Sequence, residues 1–371
     1  MGWLGWFIGT LLAVALGLMG LVHFFFGGGA THQSYLAQPR LPDGTLEVAA
    51  TYQEPIGHVA LSSDGRKFFT VHPAANTSGP KLLEWRDGAA VPFPGPEVQA
   101  QLETPLGIIV DAKNWLWVLD AGNHGFGQAK LLAFDLADGA LVHNHAFARD
   151  VVGRGSFLHD LAISADGQWV YIADSGVIAK RAGLIVYSVG GEIARRVLNR
   201  HETVAPRKLV IRNPIKQMSF YEGLFELRAG VSGLALNPDG DWLYFAAMNH
   251  DSLYRIPTAL LNDPRIPHER LAVDIETVGF KPLTDGVAID AAGTAYVADV
   301  EHQSINVYDI EGVQTTLVQD ARLRWPDDLT FGPDGYLYIA DSGLPHVLLE
   351  GAGAVAQHAP YAIWRLDLSG G

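Results

Sequence analysis

One phrase, written six times with variations, governs what this chain can fold into. Its clearest copy is "PDDLTFGPDGYLYIADSG", starting at Pro326. Related copies are "LHDLAISADGQWVYIADSG" from Leu158, "VSGLALNPDGDWLYFAAMN" from Val231 and "TDGVAIDAAGTAYVADVE" from Thr284. Weaker copies are "GHVALSSDGRKFFTVHP" from Gly57 and "PLGIIVDAKNWLWVLDAG" from Pro105. Self-similarity at a regular period is the signature of a repeat architecture, so it takes precedence over any local propensity.

Each copy reads as a β-hairpin. A short apolar strand such as Leu161-Ala162-Ile163 leads into a turn, most clearly Asp-Gly at 64–65, 166–167, 239–240 and 334–335. Asp-Gly supplies the positive φ angles that tight hairpin turns need. The second strand carries an aromatic at a fixed place: Phe69, Trp117, Tyr171, Tyr244, Tyr296 and Tyr338, spaced by 48, 54, 73, 52 and 42 residues. A period near fifty leaves room for two further strands, and "AGLIVYSV", "DSLYRIP", "SINVYDI" and "YAIWRLDL" read as third strands. Six four-stranded units predict an all-β, six-bladed β-propeller. "TLEVAATY", 45–52, is placed to add the outermost strand of the last blade. The expected organisation is an N-terminal membrane segment over 1–30, a linker over 31–44 and the propeller over 45–371.

"WLGWFIGTLLAVALGLMGLVHFFF", residues 3–26, carries no formally charged side chain. As a helix it would extend about 36 Å, enough to cross a hydrocarbon core of about 30 Å. Trp3 and Trp6 suit one interface, and His23 with Phe24–Phe26 the other. The alternative is a cleaved signal peptide, with Gly28 and Ala30 as the small residues before the cut. The long apolar run and the lack of preceding Lys or Arg favour the uncleaved anchor.

Forty acidic residues against 26 basic ones give a formal charge of −14, which excludes nucleic acid as a partner, because binding phosphates needs a basic surface. There is no cysteine, which excludes disulfides and thiolate chemistry. Ten of the 26 basic residues lie between Lys180 and Arg228, within the longest interval between repeats. A solvated blade edge is the simpler reading of that segment, and a patch resting on anionic headgroups is the sharper one.

In an antiparallel hairpin the start of the first strand and the end of the second share one end. His58, Gly107, His159-Asp160, Ser232-Gly233, Asp285-Gly286 and Asp327-Asp328 therefore belong to one face, near the axis. His72, Asp120, Asp174, Asn249, Asp299 and Asp341 end the second strands on the same face. The strand-end aspartates read chiefly as turn initiators bonded to local backbone. Within the axial set, Asp285, Asp327, Asp328, His159 and Asp160 are the candidates for contact with ligand or metal. Carboxylates gathered around one axis repel each other unless a cation, a proton or an arginine intervenes. No Gly-x-Ser-x-Gly elbow, His-Glu-x-x-His pair or phosphate-binding glycine loop is present.

"LVQDARLRWPDDLTFGPDGYLYIADS" at 317, "LYRIPTALLND" at 253 and "TPLGIIVDAKNWLWVLDAG" at 104 resemble the major royal jelly protein/yellow family. The likeness runs from about residue 45 to 368. It implies a six-bladed fold shared with pigmentation proteins associated with dopachrome conversion, nutritive secreted proteins, amine binders and bacterial dopachrome-tautomerase-related members. A more distant likeness is to gluconolactonase/regucalcin-like propellers, which hold a divalent cation on the axis. That resemblance implies Asp285, in "TDGVAID", as a metal ligand and general base, and Glu54, in "QEPIGHVAL", as a second ligand. The two asparagine positions of that ligand set fall at His159 and Ser232.

The combined expectation is a membrane-anchored, periplasmic or extracellular propeller. It would bind a small molecule (an amine, a lactone or another metabolite) or a cation at an acidic channel mouth. As an enzyme it would be an isomerase or lactone hydrolase, with Asp285 and His159 catalytic. Asp160, Ser232, Asp327 and Asp328 would bind ligand, and Glu54 and Asp285 would hold calcium or magnesium. The alternative class is a non-catalytic binding module or accessory subunit beside a membrane protein partner.

Overall fold

A computed structural model describes residues 3–33 and 36–368. Six four-stranded antiparallel sheets form the ring of a six-bladed β-propeller. The innermost strands, in chain order, are Ile56–Leu61, Pro105–Val110, Leu158–Ile163, Val231–Leu236, Val287–Ile289 and Pro326–Phe331. Each pairs with the strand that follows its turn, as Leu329 does with Ile339. Glu47–Tyr52 pairs with Tyr361–Asp367 and becomes the outer strand of the sixth blade, so the chain's first and last propeller strands share one sheet.

The six recurrent aromatics are all buried. In three of them a polar tip ties the ring to its own hairpin. Trp117 Nε1 donates to Asp111 at 2.8 Å, Tyr338 donates its hydroxyl to Asp334 at 2.8 Å, and Tyr296 to Asp290 at 3.1 Å. In these three hairpins the ring is buried while its polar atom binds the turn carboxylate of its own hairpin; Tyr171 instead donates to Asn262, and Tyr244 accepts from Arg255. The face carrying these turns is called the lower face below.

The strand-end residues on the upper face are fully buried and mostly structural. Asp120 accepts from the amides of Glu103, Thr104 and Gly122. Asp341 accepts from those of Arg324, Trp325 and Gly343. Asn249 accepts from Ala229 and donates to Leu209 and Leu227 carbonyls. In each case one side chain satisfies backbone of the loop that leads into the inner strand of its own blade.

The basic segment after blade three is a cap on the upper face. It contains a small ribbon, Ser219–Phe220 paired with Phe225–Glu226. It also contains Leu209–Val210, which pairs in parallel with Ala30–Thr31. The cations of blade three's own outer strand, Ile193–Val197, are structural. Arg196 is buried and binds Asp174, while Arg195 donates to the carbonyls of Leu261 and Ile266.

The N-terminal helix, Trp3–Phe26, is long and apolar enough to cross a membrane, and no residue of its membrane-length stretch Gly5–Phe26 is buried. Its C-terminal end docks on the cap. His23 Nδ1 lies 2.9 Å from the Gly223 carbonyl, the Phe26 and Phe225 rings are 6.1 Å apart, and Arg228 donates to the carbonyls of Gly27 and Gly28. Gly27 permits this approach, since a Cβ there would lie 2.6 Å from the Gly223 oxygen.

Candidate functional site

The axial residues of the innermost strands converge into a buried septum across the channel. His58, His159, Asp160, Asp285, Asp327 and Asp328 are each no more than 7% exposed. The expected gathering of carboxylates at the axis is present, but it does not form an open acidic mouth. Residues of the inner strands beside the axis meet across a narrow channel, and upper-face loops close over them, so the charges lie below a largely apolar opening.

Two cavities flank the septum. The upper one, of about 310 Å³, has His72, His124, His159 and Asp285 at its polar end, with walls that include Phe157, Val177, Phe225 and Leu344. The lower one, of about 210 Å³, is lined by inner-strand aliphatics together with Asp160 and Asp328.

The two sides use their carboxyl groups differently. Asp328 Oδ2 accepts from the Val59 amide at 3.0 Å, joining blade six to blade one. Asp160 accepts from Leu161 and, at 2.7 Å, from Leu234, joining blade three to blade four. These are structural clasps as well as cavity linings. On the upper side, His159 Nε2 stands 3.0 Å from Asp285 Oδ1, and Trp325 Nε1 donates to Asp285 Oδ2 at 2.7 Å. Asp285 is therefore held between an indole and an imidazole, while His159 Nδ1 has no hydrogen-bond partner among the described residues.

The three axial histidines differ in charge because their neighbours differ. Burial pulls His159 down, but Asp285, Asp327 and Asp160 around it prevail and raise it to about 9. Burial lowers His72 to about 3, with help from the charge of His159. Its Nδ1 accepts from the Ala74 amide at 3.1 Å, which leaves Nε2 as the protonated nitrogen, 3.7 Å from Asp327. His58 is pushed well down by burial and by the other two histidines. It stands 3.6 Å from Asp328 and 3.9 Å from Asp160, and neither ring nitrogen is hydrogen-bonded among the described residues. Burial raises Asp160 and Asp327 well above the usual carboxyl range, with Asp328 adding to the first and Asp285 to the second.

Two groups of ligand-type atoms each lie within 4.8 Å: His58, His159 and Asp327, and His58, Asp160 and Asp328. Glu54 is in neither group; it sits half-buried in the loop before the first inner strand. Ser232 is buried, and its hydroxyl donates to the Thr284 carbonyl at 3.3 Å, joining blades four and five. Asp285 enters the septum through His159 rather than through either group. The donor set thus departs from an all-oxygen calcium site, because each group includes an imidazole.

Sequence reading placed His58 and His72 on this face without assigning them a site role, and it missed Trp325 and His124. The signal for Trp325 was its place in "RWPDD", immediately before a Pro-led inner strand. Nothing local marks His124, whose ring stacks on Phe157 at 5.3 Å.

Asp328 makes the septum sensitive to pH. Burial raises its carboxyl from 3.8 to about 7, against the opposing amides of Val59 and Leu329. The folded state then binds more protons than the unfolded one between those values. Stability from this group is present below about pH 4 and is lost as pH rises towards 7. Asp328→Asn keeps an acceptor for Val59 and cannot ionise. Its unfolding free energy, measured by denaturant titration from pH 4 to 7.5, should show a shallower decline than the parent chain. An unchanged slope would place the proton elsewhere in the septum.

A sequence profile of the family described as "Major royal jelly protein" matches residues 104–350, about two-thirds of the chain. Major royal jelly protein 3 of Apis mellifera is 31% identical over 169 residues, covering 43% of this chain and 29% of that protein. Major royal jelly protein 7 of the same species is 30% identical, covering 41% and 34% respectively. These alignments span only about a third of the relatives' own lengths. Among solved structures, a gluconolactonase from Xanthomonas campestris superposes with a TM-score of 0.56 at 14% identity, covering 92% of this chain and 98% of that one. A calcium-binding regucalcin from Agrobacterium tumefaciens superposes with a TM-score of 0.54 at 15% identity, covering 86% and 93%. At such identities the superpositions establish the shared propeller fold alone. The profile match, running from the second blade into the sixth, shows that this chain belongs to the major royal jelly protein family.

Proposed function

We propose that this chain is a membrane-anchored propeller that binds a small molecule in its upper cavity and moves a proton on it, as an isomerase or lactone hydrolase does. The observation that carries this reading is the His159–Asp285 pair, 3.0 Å apart at the polar end of an otherwise apolar pocket. A base oriented by a carboxylate, with its second nitrogen unengaged, is the arrangement that general acid–base chemistry needs. His159 is the proton-transfer group in this reading, and Asp285 with Trp325 orients it. Because His159 holds its proton at neutral pH, it enters the reaction as an acid. It would protonate a departing ring oxygen and recover a proton from the attacking water, or protonate one carbon of an enolate and recover the proton that leaves the substrate's other carbon. Among the fold neighbours, one is described as a gluconolactonase and another as a luciferin-regenerating enzyme. The helix Trp3–Phe26 supplies the anchor, with the propeller on the periplasmic or extracellular side.

A second reading follows from His58, whose two buried ring nitrogens are unengaged among the described residues and lie close to Asp160 and Asp328. A divalent cation held there would compensate carboxylate charge that burial otherwise disfavours at Asp160, Asp327 and Asp328. The mixed nitrogen and oxygen donors suit a transition-metal ion better than calcium or magnesium.

Calorimetry on the full chain with lactones, amines and divalent ions, paired with a proton-release assay on the lactones, separates these readings. Proton release that depends on His159 and persists in chelator supports metal-independent acid–base chemistry. Turnover abolished by chelator and restored by one transition ion moves the chemistry to the His58 site. Binding with no turnover over a broad panel favours the accessory-module alternative.

A further inference from the structure

We propose that the upper cavity opens against the bilayer and takes an amphiphilic, membrane-partitioned substrate directly from it. The proposal rests on the reading of Trp3–Phe26 as an anchor and of the upper cavity as the binding site, and it names the substrate class for that site. The juxtaposition that carries it is Phe225. Its ring lies 6.1 Å from that of Phe26, the last residue of the membrane-length helix, and it also lines the cavity above His159. One side chain therefore separates the end of the apolar helix from the pocket.

The pocket rim fits this position. Ile178 and Leu349 both line the cavity, yet are 49% and 56% exposed. Tyr221, on the cap beside the docked helix end, is 73% exposed. Large apolar side chains on the rim of a site lose their contact with water if that rim lies in the interfacial zone of a membrane. Cations stand around the same helix end. Lys208 lies 5.3 Å from the Phe24 ring centroid, and Lys180 lies 4.7 Å from that of Phe26. This combination of aromatic and basic groups is the one expected where a helix leaves the hydrocarbon core.

Docking fixes the geometry. Arg228 holds the carbonyls of Gly27 and Gly28, and Ala30–Thr31 adds in parallel to Leu209–Val210. The helix thus leaves the propeller on the face that carries the cavity. The substrate's apolar body would lie against Phe157, Val177, Phe225 and Leu344, with its polar end towards His159 and Asp285.

The absence of cysteine allows clean single-site labelling of the full chain. Ile178→Cys and Leu349→Cys on the upper rim, and Asp239→Cys in a lower-face turn, would each carry one bimane fluorophore in nanodiscs containing headgroup-nitroxide lipid. The rim labels should be quenched several-fold more than the Asp239 label. In a second arm, decylamine and decanoic acid are compared with butylamine and butyric acid for protection of the rim labels. Affinity should rise roughly tenfold for every two methylenes buried. Equal quenching on the two faces, or affinity independent of chain length, overturns the proposal. If turnover of short water-soluble lactones accompanies either result, the acid–base reading of His159 stands while delivery from the membrane falls.

Discussion

In Asp285→Asn, His159 is expected to titrate at or below the ordinary histidine value of 6.5, instead of at about 9. The parent value is a contest between burial, which expels charge, and the attraction of Asp285, Asp327 and Asp160. Asp285 is the strongest of the attractive partners, and the substitution removes its charge at nearly constant volume. The new side chain has one oxygen for two roles. If it keeps the Trp325 indole, it turns an amide nitrogen towards His159 Nε2, so the imidazolium loses both its charge partner and its acceptor. Proton transfer by His159 should then fall by about 10²–10⁴-fold, the range supplied by a positioned general acid.

The same change should appear in stability. A histidine raised from 6.5 to about 9 binds more protons folded than unfolded, so its contribution is complete below pH 6.5 and is lost as pH rises to 9. Asp285→Asn should flatten that alkaline decline. Histidine-selective NMR titration reads the pKa directly and needs no substrate. A His159 that stays protonated at pH 8 in this variant would show that Asp327 and Asp160 hold the proton unaided. Trp325→Phe is the companion. It removes one hydrogen bond from Asp285 and leaves the pair's charges in place, so the titration should move much less.

Asp174→Ala should be among the most damaging single changes away from the axis, costing about 3–5 kcal/mol, as expected when one partner of a buried ion pair is removed. Asp174 is fully buried and accepts from the amides of Phe157 and Gly176 through Oδ1. Its Oδ2 accepts from Arg196 at 2.9 Å. Alanine strands two amides and a buried guanidinium. Asp174→Asn can keep both amides on its remaining oxygen while losing the charge opposite Arg196, so it should recover part of the loss. Chemical denaturation of the parent and both variants tests the ranking. Equal stability of the parent and Asp174→Ala would mean that water satisfies Arg196 and the two amides, and the residue would not be the structural clasp described above.

Much of this architecture is written locally. The Asp-Gly turns, the short apolar strands and the aromatic of each second strand all lie within one hairpin, so the blade can be read from a window of about twenty residues. The strand-end aspartates were legible for the same reason. Asp120 binds amides at 103, 104 and 122, all within its own hairpin and the loops flanking it. Their structural role follows from chain geometry before any tertiary contact is considered. Even ring closure by Glu47–Tyr52 could be anticipated, because six units with one strand missing leave a single place for it.

The axial residues were legible as a set, since the position at the start of each inner strand repeats with the blade. Which of them meet was not. His159 and Asp285 come from blades three and five, and Trp325 reaches them from the loop before blade six; only closure of the ring brings these distant segments together. Burial was decided at the same level. Whether six polar side chains face open water or form a dry septum depends on how the cap, the helix end and the upper loops pack above them. The sequence by itself determined the blade, its turns, its count and the chemical types present at the axis, because strand alternation and turn chemistry act over a few residues. Tertiary structure alone decided that His159 would be charged while His58 and His72 are not, because proton affinity in a buried site depends on which charges lie within a few ångströms, whatever their separation along the chain.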